Sequence, residues 1–160
     1  MSASAAASAS PTLTVVGRYS EMLGHVDDPE VFFEAEKRRI HATIGDISGI
    51  RVTLNRIVVA LYVRPKTRKL ANGAEFEIPD VVRDEDKWQG VAGLVVAMGP
   101  HCYEDNDQIA FSDGDRCRVG DWVMLRRGEG FRTRLWNWEC IIVEGERGIK
   151  MVLPRPDAVF

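Results

Sequence analysis

The sequence predicts a mainly β fold, a small antiparallel barrel or sandwich preceded by an N-terminal arm that carries one short helix. Three observations lead there. Runs of β-branched residues recur between Gly-containing turns from residue 51 onward. A single helical pattern, opened by Asp27-Asp28-Pro29-Glu30, lies upstream of them. Charge divides at the same place: residues 1–50 hold four basic and seven acidic residues, whereas residues 51–160 hold seventeen of each. We therefore divide the 160-residue chain into an arm (1–50) and a barrel (51–160).

Composition bounds the function classes. The chain is 45% hydrophobic and 28% charged, as globular proteins are, which excludes wholesale disorder. Its longest uncharged apolar runs, Ile57–Val63 and Val91–Met98, are too short to cross a bilayer, so no membrane partner is expected. A net charge of −3 sets up no global field for nucleic acid. Cys102, Cys117 and Cys140 are odd in number and widely spaced, which is not a disulfide framework. The N-terminus lacks a charged n-region and a continuous apolar h-region, so synthesis in the cytoplasm is expected.

Residues 2–10 are an Ala/Ser tract that cannot form a core; they read as a tail, or as an arm that orders against a neighbouring subunit. Leu13–Gly17 is β-prone. The helix is expected over about 29–41, with Glu30 favourable at its positive end and Glu34 set four residues before Arg38. Val31, Phe32, Ala35 and Arg39 mark one face, and Phe33, Glu36 and Ile40 another. Adjacent Phe32 and Phe33 cannot both enter one small core, which leaves a contact for a partner chain. Residues 42–50 read as an extended connector.

Strands are expected over Val52–Val63, Val91–Met98, Asp121–Leu125, Phe131–Trp138, Cys140–Val143 and Ile149–Leu153. Between the first two lies a long segment, Lys66–Gly90, read as a loop. A loop of that length in a compact barrel is functional or disordered. At its centre Phe76 and Ile78 alternate with Glu75 and Glu77, so an extended backbone would put both apolar side chains on one face.

Chemistry-bearing patterns are sparse, and no catalytic residue, cofactor or metal is expected. No Ser-His-Asp or Cys-His spacing is present. His101-Cys102 and Cys117 lack the paired spacing of zinc sites. Asp105, Asp107, Asp113 and Asp115 lack the spacing and closing Glu of a calcium loop. Arg126, Arg127, Arg132 and Arg134 with Phe131, Trp136 and Trp138 combine charge and aromatic surface as single-strand binders do, yet strand alternation accounts for them as packing residues covered by arginines. Nucleic acid is accordingly not expected as a partner.

The ordered set of segments resembles the GroES-type co-chaperonin family over roughly residues 51–153. Asn55-Arg-Ile-Val-Val-Ala-Leu61 is similar to that family's opening strand, and Lys66–Gly90 occupies the place of its mobile loop. Gln89–Pro100, Val119-Gly-Asp-Trp-Val123 and Glu139–Val152 resemble the later strands and turns. The resemblance implies an irregular barrel that forms homo-oligomeric rings. The chain departs from the family in its fifty-residue extension and in its loop, where Phe76 and Ile78 alone stand for the gripping aliphatics. Extended chains of this kind, with Arg83-Asp-Glu-Asp-Lys-Trp-Gln-Gly90, look like phage-encoded GroES-like proteins. Two functions are implied. The first is a virion structural protein, a capsid cement, decoration or head-completion subunit that contacts the major capsid protein through Phe32, Phe33 and Ile40 of the arm and through the loop. The second is a co-chaperonin that caps a host chaperonin ring through Phe76 and Ile78. The expected location is the host cytoplasm during synthesis, and the virion in the structural reading.

Overall fold

The computed structural model describes residues 29–69, 74–105 and 109–159. The Ala/Ser tract, the β-prone Leu13–Gly17 stretch and the Asp27-Asp28 cap fall outside them. The chain runs through helix α1 (Pro29–Ile44), strands β1 (Arg56–Leu61), β2 (Thr67–Lys69) and β3 (Glu75–Glu77), helix α2 (Asp80–Gln89), and strands β4 (Ala92–Met98), β5 (Trp122–Leu125), β6 (Phe131–Leu135), β7 (Trp138–Glu144) and β8 (Ile149–Leu153). Six strands form one antiparallel sheet in the order β6-β7-β1-β4-β5-β8, and β2 pairs with β3 as a separate hairpin. The expected mainly β, antiparallel class is the one observed.

The sheet is open by hydrogen bonding, since β6 and β8 pair with no further strand among the described residues. It is not flat. The register row through Cys140, Ala60, Leu94, Trp122 and Leu153 links β7 to β8 across four strand spacings. Ile149 lies opposite Leu125, on the far side of that row from Glu144. In a plane these two residues would stand about 30 Å apart, from about 19 Å across the strands and about 23 Å along them. The link Gly145–Gly148 reaches at most about 17 Å, and part of it is wound into the 3-10 turn Glu146–Gly148. The sheet therefore rolls until the end of β7 and the start of β8 lie within that reach, an open rolled sheet with a seam where the two links meet rather than a closed barrel. The Arg126–Gly130 link between β5 and β6 imposes the same roll.

Rolling sorts side chains by strand alternation. Ile57, Val59, Leu61, Val95, Val123, Leu125, Ile141 and Val143 form one buried cluster with Tyr103 and Cys117. The opposite face, Val58, Ala60, Tyr62, Leu94, Val96, Trp122 and Cys140, forms a second cluster with α1. The helix runs one turn beyond the expected end at residue 41, because Ile44 is buried in that cluster alongside Ile40. Between the two faces read in the sequence, packing selects Phe33 and Ile40, while Val31 stays 61% exposed. Phe33 meets Tyr62 and Trp122 edge-on, with ring centroids 6.3 and 6.4 Å away. The helix is thus joined to the barrel core and is not a free arm.

At the seam, Arg126 N–H donates to Gly148 O at 3.4 Å. A Cβ on Gly148 would stand 2.1 Å from Val143 Cγ1 and 2.9 Å from Glu129 Cγ, so only glycine lets the two links close. Gly148→Ala is expected to destabilise the fold by about 1–3 kcal/mol through overpacking. Phe33→Ala is expected to cost about 3–5 kcal/mol, whereas Val31→Ala stays within about 0.5 kcal/mol. Urea denaturation of the three variants checks this order.

Candidate interaction surface

The segment read as a loop over Lys66–Gly90 is a built unit. Its first part is the β2–β3 hairpin, with Thr67 opposite Glu77 and Lys69 opposite Glu75. Phe76 is 52% exposed, flanked by exposed Glu75 and Glu77. Ile78 lies beyond the end of β3 and is buried, its N–H donating to Lys66 O at 2.7 Å. The two residues therefore do not share one open face as their alternation implied.

After Pro79 the chain enters α2, a helix inside the segment expected as a loop. Two signals marked it: Pro79-Asp80 at a helix start, and Gly90 just past its end. Gly90 adopts φ 53° and its N–H donates to Asp86 O at 3.0 Å, a left-handed C-terminal cap. Asp86 is buried at 4% exposure and is held by Arg64, whose Nε and Nη2 donate to its two oxygens at 2.8 and 2.5 Å. Arg83 Nε donates to Arg64 O at 3.2 Å. From β6, the Arg132 guanidinium donates to Lys87 O and Trp88 O, satisfying carbonyls that the helix end leaves open. These bonds fix α2 against the barrel with Val81 79% and Trp88 77% exposed, seven residues apart on its outer side.

A groove of about 410 Å³ runs between α1, α2 and the chain after β1, lined by Phe32, Arg39, Val63, Pro65, Lys87 and Trp138 among others. Arg39 sits 4.8 Å above the Trp138 ring and also holds Glu36, whose hydrogen bond raises the Arg39 pKa. Trp138 Nε1 donates to Leu61 O at 3.0 Å. Lys87 holds Asp84 at 2.9 Å. A second groove, about 530 Å³, is lined by Asn55, His101, Glu104, Phe111 and Glu146 among others. There His101 Nδ1 meets Glu104 at 2.7 Å, and Glu146 accepts from Tyr103 N–H at 2.7 Å.

The thiols are structural. Burial pushes Cys102 and Cys140 up to about 11, and it raises Cys117, whose sulfur accepts from Tyr103 Oη at 3.1 Å. The acidic loop carries a capping pair, with Ser112 Oγ donating to Asp115 at 2.6 Å and so lowering the Asp115 pKa. Among the described residues no group of three or more metal-ligating side chains comes together.

Of the expected contact residues, Phe33 and Ile40 are buried in this chain's own core, as is Ile78. Burial takes all three out of reach of a partner. Phe32 is half-buried at the first groove, and Phe76 remains open. The sequence reading missed the exposure of Val81, Trp88, Met151 and Val152; the Val81/Trp88 pair was legible as an i, i+7 spacing once a helix was assigned there. Trp136 occupies the first position of the two-residue turn between β6 and β7 with φ 49° and is 61% exposed, its indole lying against Gly45. No protein-family model matches the chain, and no curated protein is significantly similar to it.

Arg64→Ala should cost about 3–5 kcal/mol by stranding the buried Asp86 carboxylate, whereas the double substitution Arg64→Met with Asp86→Leu should be near neutral; chemical denaturation separates these. With thiolate fractions of about 0.1% at pH 8 for groups near 11, iodoacetamide should label native Cys102 and Cys140 slowly. Labelling of half-buried Cys102 should accelerate as pH rises toward 10, fully buried Cys140 should stay slow while the fold persists, and both should label at once in urea at pH 8, as read by mass spectrometry.

Proposed function

We propose that this chain is a non-enzymatic assembly protein that acts through subunit contacts, as a virion structural protein in a capsid cement, decoration or head-completion role. One observation carries the reading: the rolled sheet keeps two strand edges, β6 and β8, without a strand partner among the described residues, and both present large apolar side chains to solvent. Phe131 is 64%, Met151 53% and Val152 44% exposed. An edge row of unpaired N–H and C=O groups with apolar side chains favours pairing with another chain. Such edges support homo-oligomerisation and contact with the major capsid protein or another virion subunit. In this reading the chain is made in the host cytoplasm and ends in the particle. No helix among the described residues is long and apolar enough to cross a membrane.

A second reading, a co-chaperonin that caps a host chaperonin ring, is favoured by the exposed Phe76 on a hairpin in the place of the mobile loop. Burial of Ile78 removes the second gripping side chain from that surface, which weighs toward the structural role.

Mass spectrometry of stringently washed virions from the source phage should find the chain in many copies per particle. Absence from virions, with abundance in the infected lysate, would reject the structural role. Phe76→Ala should leave particle binding unchanged; loss of chaperonin capping by that variant would establish the second reading instead.

A further inference from the structure

The seam of the barrel brings together cations that lie far apart in the sequence. Arg126 and Arg127 occupy the link between β5 and β6, and Arg147 and Lys150 occupy the link and strand start after β7. The two stretches are joined by the Arg126 N–H to Gly148 O bond and by the pairing of Leu125 with Ile149. Lys150 lies at the irregularity between Met124 and Leu125, and its ammonium donates to Arg147 O. All four side chains are exposed, and none has a carboxylate within ion-pair distance among the described residues.

Carboxylates near the seam offset this charge only in part. Glu129 is half-buried against Gly148. Glu144 pairs with Arg56 at 3.4 Å, and Glu146 is turned toward Tyr103 and Asn55. By contrast, the arginines that the sequence pattern set beside Arg126 and Arg127 are consumed. Arg132 caps α2, and Arg134 is ion-paired with Glu139. Immediately after the cationic turn, the Phe131 ring stands 64% exposed at the start of β6.

We infer that this seam is a binding surface for single-stranded nucleic acid, engaged through its phosphates by Arg126, Arg127, Arg147 and Lys150, with Phe131 as a stacking platform for a base. Cations without ion-pair partners on two converging turns fit a polyanion without reading sequence. An exposed aromatic ring beside them selects unpaired bases, whose faces are free to stack. This surface is separate from the hairpin and α2; it shares Phe131 and Lys150 with the β6 and β8 edges of the assembly reading, but it rests on the cations and not on that reading.

The test is fluorescence anisotropy of the full chain with a labelled oligothymidylate, with a duplex of equal length and with poly-glutamate as competitors. The oligothymidylate should bind at low salt. Arg126→Ala with Arg127→Ala should weaken it about tenfold or more and reduce the slope of log affinity against log salt by about 1.4, at about 0.7 per phosphate contact. Phe131→Ala should weaken the oligothymidylate about tenfold and leave the duplex unchanged. Arg134→Ala, with its partner Glu139 outside the seam, should bind as the parent does, and circular dichroism should show all variants folded. Absence of binding at low salt, equal competition by poly-glutamate, or full affinity in the double variant would overturn the proposal. Equal binding of duplex with no effect of Phe131→Ala would overturn its single-strand selectivity.

Discussion

Two short links hold this structure in its shape. β7 and β8 are four spacings apart in the ladder and are displaced along it, yet only Gly145–Gly148 joins them. Backbone reach alone forbids a flat sheet, and the inner row of Ile57, Val59, Val95, Val123 and Val143 becomes a buried interior because the sheet must roll around it. Closure then depends on Gly148, where the β5–β6 link and Val143 approach too closely for any side chain. The same approach concentrates charge. Arg126, Arg127, Arg147 and Lys150 share one corner because the links that carry them must touch.

Once rolled, the sheet offers its outer face to α1 and a rim to the 66–90 unit. The helix contributes Phe33, Ile40 and Ile44 to the outer cluster, each a burial of about 1.5–3 kcal/mol. The 66–90 unit is held differently, by polar groups: the Arg64–Asp86 pair and the Arg132 cap on the last turn of α2. A buried ion pair adds little net stability over an apolar substitute, but it is costly to half-break. Such a fixture specifies where α2 sits more than how strongly, and so it sets where Val81 and Trp88 face solvent. Exposed apolar groups of this protein include Val81 and Trp88 on α2, Phe76 on β3 of the hairpin, and Phe131, Met151 and Val152 on the two sheet edges.

Much of the scaffold was legible because strand signals are local. Val91–Met98, Asp121–Leu125 and Ile149–Leu153 match β4, β5 and β8 to within a residue, since β-branched runs end where Gly and Pro break them. The expected strand over Phe131–Trp138 instead turns at Trp136-Asn137. A tryptophan at positive φ is not a turn signal, and only the pairing of Leu135 with Trp138 reveals it. The sequence pattern over 66–90 reads as a loop because α2 is short and strongly charged, and its buried residue is an aspartate. No apolar periodicity announces a helix whose inward anchor is an ion pair.

The contact residues show the same division. Phe32 and Phe33 were both candidates, and the 100° step between them in a helix says only that they diverge. The aromatic surface offered by Tyr62 and Trp122, from β1's end and β5, decides that Phe33 goes inward. Sequence by itself determined the mainly β class, the positions of β4, β5 and β8, the helix near residues 29–41 and the absence of a long apolar span, because each rests on neighbours within a few residues. Only the tertiary structure decided the roll of the sheet, the burial of Ile40 and Ile78, the order of α2, and which arginines stay unpaired. Those depend on chain reach and on partners distant in the sequence, such as Arg132 with Trp88 and Arg126 with Gly148.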